Sequence, residues 1–526
     1  MRKVLWTMAS QFAAKARSLG SQIRWDAIRG GLLSFRRVSA CLVAVLMVWL
    51  TTGGSAATHT ALSGSDDKKE SSESTPNALS KLGPSQTTIV SLTATSAEIS
   101  VLGYGLAPSG VLSFTDVTSG TPITAPVTLN TAASTIVLAR QVATFTGVET
   151  LPDWTELADL NGDGILDLVT SLSATDSYTV RLGNGNGTFR PATPILIATG
   201  FDPGEAHAVS LRGNGEMDLI FASSASNQIA VLLGNGNGSF GTPTFYTVGS
   251  STNIPSSIAS GDFNHDGNLD IAVANSVDNT VSIFLGDGSG SLTQSGVPIN
   301  VGHNPESIRA GDFNGDGYSD LAVSNFKDGT VTILLNNQNG TFTATAITVG
   351  TGAGSGPRGV AITGSGSDLL LASANSLDNT VSVMQSNGSG NFGAQTIVPV
   401  GKGPQDIRWA DFNGDGIPDL VVANFTGNSL SLALGESDGS YTVLGPLAAG
   451  GHPASAAVGD LNGRGAPDIV ISNMLKNETE VFLVGSEISV SYTGISLPAG
   501  NVVNATYTPD AASKYRSSTS PSKVAP

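Results

Sequence analysis

Asp262-Phe263-Asn264-His265-Asp266-Gly267-Asn268-Leu269-Asp270 decides how this chain is read. Oxygen-bearing side chains stand at positions 1, 3, 5 and 9 of the nonapeptide, with glycine at position 6. The pattern returns at Asp159 to Asp167, Asp312 to Asp320 and Asp411 to Asp419. Weaker copies fill the gaps: Ser210 to Asp218, a shortened Thr363 to Asp368, and Asp460 to Asp468. The seven starts, at 159, 210, 262, 312, 363, 411 and 460, are 51, 52, 50, 51, 48 and 49 residues apart, a seven-fold internal repeat of about 50 residues.

Each repeat has the same interior. A β-rich run such as Ile271-Ala272-Val273-Ala274 follows the nonapeptide, then an Asn/Asp turn such as Asn275-Ser276-Val277-Asp278-Asn279, then a second run from Thr280 to Leu285. A glycine-rich turn closes the unit, as in Gly183 to Phe189, Gly234 to Phe240 and Gly286 to Leu292, with Gly and Asn expected to supply positive φ. A further strand and a Pro-x-x-Ile loop such as Pro305 to Ile308 lead onward. Four strands in about 50 residues make one propeller blade, so the expected fold is all-β, a seven-bladed β-propeller. The last repeat stops at Val481-Phe482-Leu483-Val484, while an orphan strand, Val142 to Val148, precedes the first. Pairing the two closes the ring and removes an exposed edge.

Side-chain oxygens at positions 1, 3 and 5, a backbone carbonyl at 7 and a carboxylate at 9 form a hard, all-oxygen donor set that suits Ca²⁺. Gly at position 6 allows the sharp turn. The expected ligands are Asp159, Asn161, Asp163, Ile165 and Asp167; Asp262, Asn264, Asp266, Asn268 and Asp270; Asp312, Asn314, Asp316, Tyr318 and Asp320; and Asp411, Asn413, Asp415, Ile417 and Asp419. That makes about four Ca²⁺ sites. Without a cation such loops would be turns with side-chain caps, but three or more carboxylates in nine residues would then repel one another. Position 12 is Thr170, Val273, Val323 or Val422, and strand sequence follows, which excludes an EF-hand or dockerin loop. The second copy is too poor in acid and the fifth too short, while Arg464 at position 5 of the seventh is expected to act as a built-in cation.

These repeats resemble the FG-GAP/VCBS family, which builds the propeller of integrin alpha subunits and of many bacterial exported proteins. The resemblance covers residues 141–485 and implies calcium loops between the first two strands of certain blades. It also implies ligand binding on the opposite face, where the connections between blades include Trp154, His207, His303, Arg358, Lys402 and His452. Residues 85–140, with Ser109 to Asp116 and Val127 to Asn130, and residues 486–526, with Leu497 to Gly500 and Ala505 to Asp510, resemble two halves of a bacterial Ig-like domain. The two halves are expected to complete one small Ig-like β-sandwich into which the propeller is inserted, with two small separate β domains as the alternative.

The chain has 526 residues, 40% hydrophobic and 13% charged, and a formal net charge of −17. Residues 1–57 read as a signal peptide: eight Lys/Arg, an apolar run from Val38 to Leu50, and a small-residue site at Ser55-Ala56-Ala57. Residues 58–84 read as a disordered linker. Removing the leader takes away eight positive charges and one negative, leaving −24, which disfavours nucleic acid and anionic membrane as partners. It also removes Cys41, the sole cysteine, so no disulfide is available.

The expected function is a secreted or cell-surface calcium-binding propeller that engages a protein or carbohydrate ligand. The alternatives are an extracellular polysaccharide-degrading enzyme and a structural spacer. No serine nucleophile elbow and no H-E-x-x-H zinc helix are expected, and five histidines are few, so no catalytic residue is assigned.

Overall fold

Proline heads one strand in every repeat: Pro152–Ala158, Pro203–Val209, Pro255–Gly261, Pro305–Gly311, Pro357–Thr363, Pro404–Ala410 and Pro453–Gly459. Proline lacks the N–H that a ladder needs, so it fits the first residue of a strand and not its interior. Just behind each proline the pairing register slips. Such irregularities add twist where a strand enters its sheet.

The computed structural model describes residues 150–493 without a break and, on the flanks, 85–92, 96–103, 109–117, 121–124, 127–129, 135–141, 502–509, 518–520 and 523–524. The expected signal peptide and linker lie outside the described residues.

Six of the seven proline-headed strands open an antiparallel four-stranded sheet, and the seventh, Pro453–Gly459, opens a six-stranded one. In blade 3 the strands are Pro255–Gly261, Asp270–Asn275, Thr280–Gly286 and Leu292–Asn300, with Gly261 opposite Asp270 and Gly286 opposite Leu292. Second strands such as Asp270–Asn275 and Asp320–Asn325 are buried along their whole length. They read as continuous apolar runs because both faces of the sheet are covered. Each first strand packs on the next, and Pro453–Gly459 packs back on Pro152–Ala158, so the ring closes. The core is a set of seams between neighbouring sheets. Ile220 and Val231 meet Ile271 and Phe284 in one, and Val470 and Val481 meet Leu168 in another.

Side chains two residues after the proline staple one blade to the next. Ser257 Oγ accepts the Ile308 N–H at 3.1 Å, Asp406 Oδ2 the Ala456 N–H at 2.9 Å, and Ser455 Oγ the Thr155 N–H at 2.8 Å across the closing seam.

The last sheet is completed from a distance. Glu478–Thr493 pairs with Asp468–Asn473 on one side and with Thr135–Gln141 on the other, Val481 opposite Gln141. The expected closing strand, Val142 to Val148, lies outside the described residues, and the observed partner is the segment just before it. Thr135–Gln141 carries a continuous apolar run, Ile136 to Ala139, which suits a sheet buried on both faces better than the mixed Val142 to Val148 does.

The same 16-residue strand runs on out of the propeller and pairs with Ser96–Gly103, which pairs with Ser85–Leu92. Facing this sheet is a second one, in which Gly110–Asp116 pairs with Val502–Pro509. Ile89, Ile99, Val101, Leu112, Phe114, Ala505 and Tyr507 fill the space between them, so residues from both ends of the chain share one core.

A buried amide locks the hairpins of blades 3 to 6. Asn375 Nδ2 donates to Thr380 Oγ1 at 3.1 Å and Ser382 Oγ at 2.9 Å; Asn275, Asn325 and Asn424 repeat the arrangement. Asn375 is fully buried. Asn375→Ala is expected to lower unfolding free energy by about 2 kcal/mol, read from urea melts, because the buried Ser382 and half-buried Thr380 hydroxyls lose a donor.

Candidate metal loops and the opposite face

The four complete nonapeptides share one local geometry. In the first, Asp159 Oδ1 accepts the N–H groups of Gly162 at 2.8 Å and Asp163 at 3.2 Å, and Asp159 Oδ2 that of Gly164 at 2.8 Å. Asn161 Oδ1 accepts the Asp163 N–H at 2.9 Å, and Asp163 Oδ1 the Ile165 N–H at 2.9 Å. Asp262, Asn264 and Asp266, Asp312, Asn314 and Asp316, and Asp411, Asn413 and Asp415 repeat it. The position-7 residues Ile165, Asn268, Tyr318 and Ile417 therefore donate their N–H to position 5. The N–H of Asn268 and the amide of Asn264 hold the Asp266 carboxyl below its usual range. Among the described residues, no three His or acidic side chains converge as a finished metal cage.

Position 9 does something else. Asp419 is fully buried, and its two oxygens accept the N–H of Phe412 at 2.8 Å and of Gly435 at 2.8 Å. Asp167, Asp270 and Asp320 clasp their loops to the third strand in the same way. So do Asp218 and Asp468, whose loops lack the full acid set. The clasp therefore recurs in loops with and without the acidic neighbours. Burial pushes Asp320 and Asp419 up to about 6 despite these bonds. In blade 5 Leu370 opens the second strand instead, and the Leu369 carbonyl takes the Ser386 N–H at 2.9 Å.

The built-in cation is found in the second loop. Arg212 Nη2 lies 2.6 Å from Asp218 Oδ1 and 2.7 Å from the Gly234 carbonyl, and Nη1 lies 3.2 Å from Glu216 Oε2. Arg464 in the seventh loop, where such a cation was expected, makes no ion pair among the described residues. Spacing sets the outcome: position 3 reaches the position-9 carboxylate.

Glycines of the closing turns take positive φ, as at Gly185 (70°) and Gly187 (82°), while Asn184 and Asn186 do not. The asparagines bond side chain to side chain instead, Asn184 Nδ2 to Thr188 Oγ1 at 2.9 Å and Thr188 Oγ1 to Asn186 Oδ1 at 2.6 Å. Gly435-Glu436-Ser437-Asp438-Gly439 does match the G-x-S-x-G spacing, against expectation. It is a hairpin turn closed by Glu436 N–H to the Ser440 carbonyl at 2.9 Å and followed by the strand Tyr441–Ala448, whereas a nucleophile elbow leads from strand into helix.

On the opposite face, Trp154, His207 and Arg358 lie within first strands and not in connections, a correction to their expected placement. His303, Lys402 and His452 do lie in connections. Aromatic rings back several of these groups. Arg358 sits 4.8 Å over Phe326, Arg408 sits 5.1 Å over Trp154, and His452 stacks on Phe425 at 4.5 Å. His303 Nδ1 lies 2.9 Å from Asp328.

A polar cluster fills the inside of the ring. Arg309 Nη1 reaches Glu205 across a blade at 3.1 Å, Arg408 Nη1 bonds Asp406, and His207 Nε2 lies 3.0 Å from Ser260 Oγ. Burial raises Glu156 to about 7, with Arg408 opposing and Glu205 adding to the rise. Burial, with Arg309 and Arg408, lowers His207 to about 4. Glu156 therefore favours folding most below pH 4.5 and loses that contribution as pH rises through 7. His207 favours folding above pH 6.5 and loses its contribution as pH falls through 4. In thermal melts, Glu156→Gln is expected to remove part of the decline in stability between pH 5 and 8 and leave the acid limb unchanged.

Comparison with known proteins follows the same units. No curated protein matches the chain. The periplasmic gluconolactonase of Pseudomonas aeruginosa is similar in structure, with 16% identity, a TM-score of 0.46, and coverage of 65% of this chain and 97% of that one. So is an Agrocybe aegerita lectin that recognises non-reducing terminal N-acetylglucosamine, with 18% identity, a TM-score of 0.41, and coverage of 71% and 97%. The family described as FG-GAP-like repeat matches residues 159–221, 211–273, 262–323, 312–363, 366–422 and 411–471, the first, third, fourth and sixth matches beginning on the first residue of a complete nonapeptide. With more than half its length in such matches, and one sheet closed for each turn of the repeat, this chain belongs to the FG-GAP-like repeat family.

Proposed function

We propose that the protein is a calcium-braced propeller that offers the face opposite its acidic loops to a protein or glycan ligand at a cell surface. The observation that carries this reading is the set of four complete loops, each with oxygen donors at positions 1, 3 and 5 held above a clasped position-9 aspartate. The donor chemistry fits calcium: all oxygen, rich in carboxylate, and without sulfur or imidazole ligands. Asp262, Asn264 and Asp266, with the Asn268 carbonyl, would hold the ion in the third loop, and the corresponding residues would do so in the others. A bound ion supplies positive charge where each loop gathers carboxylates.

Position 9 is better read as the floor of each loop than as a direct ligand, since both its oxygens already serve buried N–H groups. Arg358 over Phe326, and His452 stacked on Phe425, support the opposite face as the ligand side. The test is calcium titration of the chelator-stripped chain by calorimetry, joined to a glycan array and a pull-down with the loaded chain. Uptake of about four ions is expected; a chain that takes up none ends the calcium reading.

A further inference from the structure

One seam between blades differs from the rest. The outer strand of blade 1 is two residues long, Ile195–Leu196, whereas that of blade 4 runs Phe342–Thr348 and that of blade 3 Leu292–Asn300. Pro191 and Pro194 stand where the strand would have to donate to Ser177–Arg181. Neither can, so the chain lifts away after Arg190 and rejoins at Ile195 opposite Tyr178.

The lifted segment leaves a cavity of about 440 Å³ between blades 1 and 2. That volume falls within the range of small-molecule sites. Tyr178, Val180, Leu232 and Phe240 line it, Thr193 and Ser239 contribute hydroxyls, and none of the lining residues is charged.

The walls are aromatic and set. Tyr178 packs on Phe221 at 5.1 Å and edge-on to Phe240 at 6.4 Å. The turn carrying Gly238 and Ser239 is pinned from outside by the Gly238 N–H to the Leu160 carbonyl at 3.0 Å. Residues that match Tyr178 in blades 2 to 6 are aliphatic, Ile229, Val281, Val331, Val381 and Leu430, so the phenol belongs to this seam alone among those blades. Tyr178 is only 1% exposed, lines the cavity, and makes no hydrogen bond among the described residues. Without a hydrogen-bond partner and not wholly sealed, the phenol oxygen is open to a ligand oxygen. Exposed Ile195 (42%), Leu196 (59%) and Phe245 (39%) extend the apolar surface around this seam.

We infer that this seam binds a small uncharged aromatic molecule carrying a hydroxyl or carbonyl oxygen, its ring against Phe240 and its oxygen on the Tyr178 hydroxyl. Charged ligands are disfavoured, since no countercharge lines the cavity. No residue of an acidic loop lines the cavity, although its Gly238 turn is tied to Leu160 of the first loop, and the inference does not depend on the function proposed above.

Benzyl alcohol is a suitable probe, followed by saturation-transfer NMR on the full chain. Saturation transfer to the ring protons is expected in the native chain. Val180→Trp, which fills the cavity, should abolish it, and Tyr178→Phe, which keeps the ring packing, should weaken binding about fivefold with an unchanged melting temperature. No transfer at about 10 mM probe, or transfer undiminished by both substitutions, overturns the inference.

Discussion

Asp419→Ala should lower the unfolding free energy by about 3 kcal/mol, among the largest effects expected of a single polar substitution here. The substitution removes the acceptor of two N–H groups, those of Phe412 and Gly435, at 2.8 Å each. Phe412 and Gly435 are buried, so water does not replace the lost partner. Each orphaned donor costs about 1–3 kcal/mol. The measurement is chemical denaturation in chelator, which separates the clasp from any bound ion. Asp468→Ala serves as the companion, because its loop carries Arg464 in place of an acid while its carboxylate clasps Leu461 and Val484 in the same manner. Equal losses in the two variants establish the clasp as a role independent of metal. A loss confined to Asp419 would return position 9 to the list of ion ligands.

Withdrawal of calcium from the loaded protein should lower the melting temperature by more than about 10 °C. A ligand present at a hundredfold its dissociation constant stabilises the folded state by about 2.7 kcal/mol per site, and four sites act together. For a domain of a few hundred residues each kcal/mol is worth about 2–4 °C. Two opposing terms meet in the stripped loops. The carboxylates of Asp262 and Asp266, or of Asp312 and Asp316, repel one another, while the N–H groups of the loop hold each in place. The second loop is the internal control, since Arg212 already supplies a positive charge to Asp218 and Glu216. Glu216 and Asp218 should therefore make no contribution to the chelator-sensitive part. A melting temperature indifferent to chelation, with no metal by elemental analysis, would remove calcium from the account.

Much of the architecture could be read from the chain because the repeat is written in residues that have few other uses. Asp and Gly at fixed offsets mark where one strand ends and the next begins, and a period near 50 counts the sheets. Chemical ambiguity hid the rest. Aspartate at position 9 satisfies a metal pattern and a backbone clasp equally well, and only its complete burial separates the two. Asn275 reads as the start of a turn, yet it is buried as the last residue of its strand and holds the hairpin together by its amide. Arg212 stands in the loop that is too poor in acid, and sequence spacing gives no sign that its guanidinium returns to Asp218. Charges inside the ring, such as Arg309 with Glu205, lie 104 residues apart in sequence and meet only because the ring closes.

The strand Glu478–Thr493 belongs to two bodies at once, with Asp468–Asn473 and Thr135–Gln141 as neighbours at one end and Ser96–Gly103 at the other. A flexible tether would let the disc tumble freely; a shared backbone rod gives it no swivel. Whatever anchors the terminal sandwich therefore also sets the heading of the disc, and a sideways load on one is felt as torque by the other.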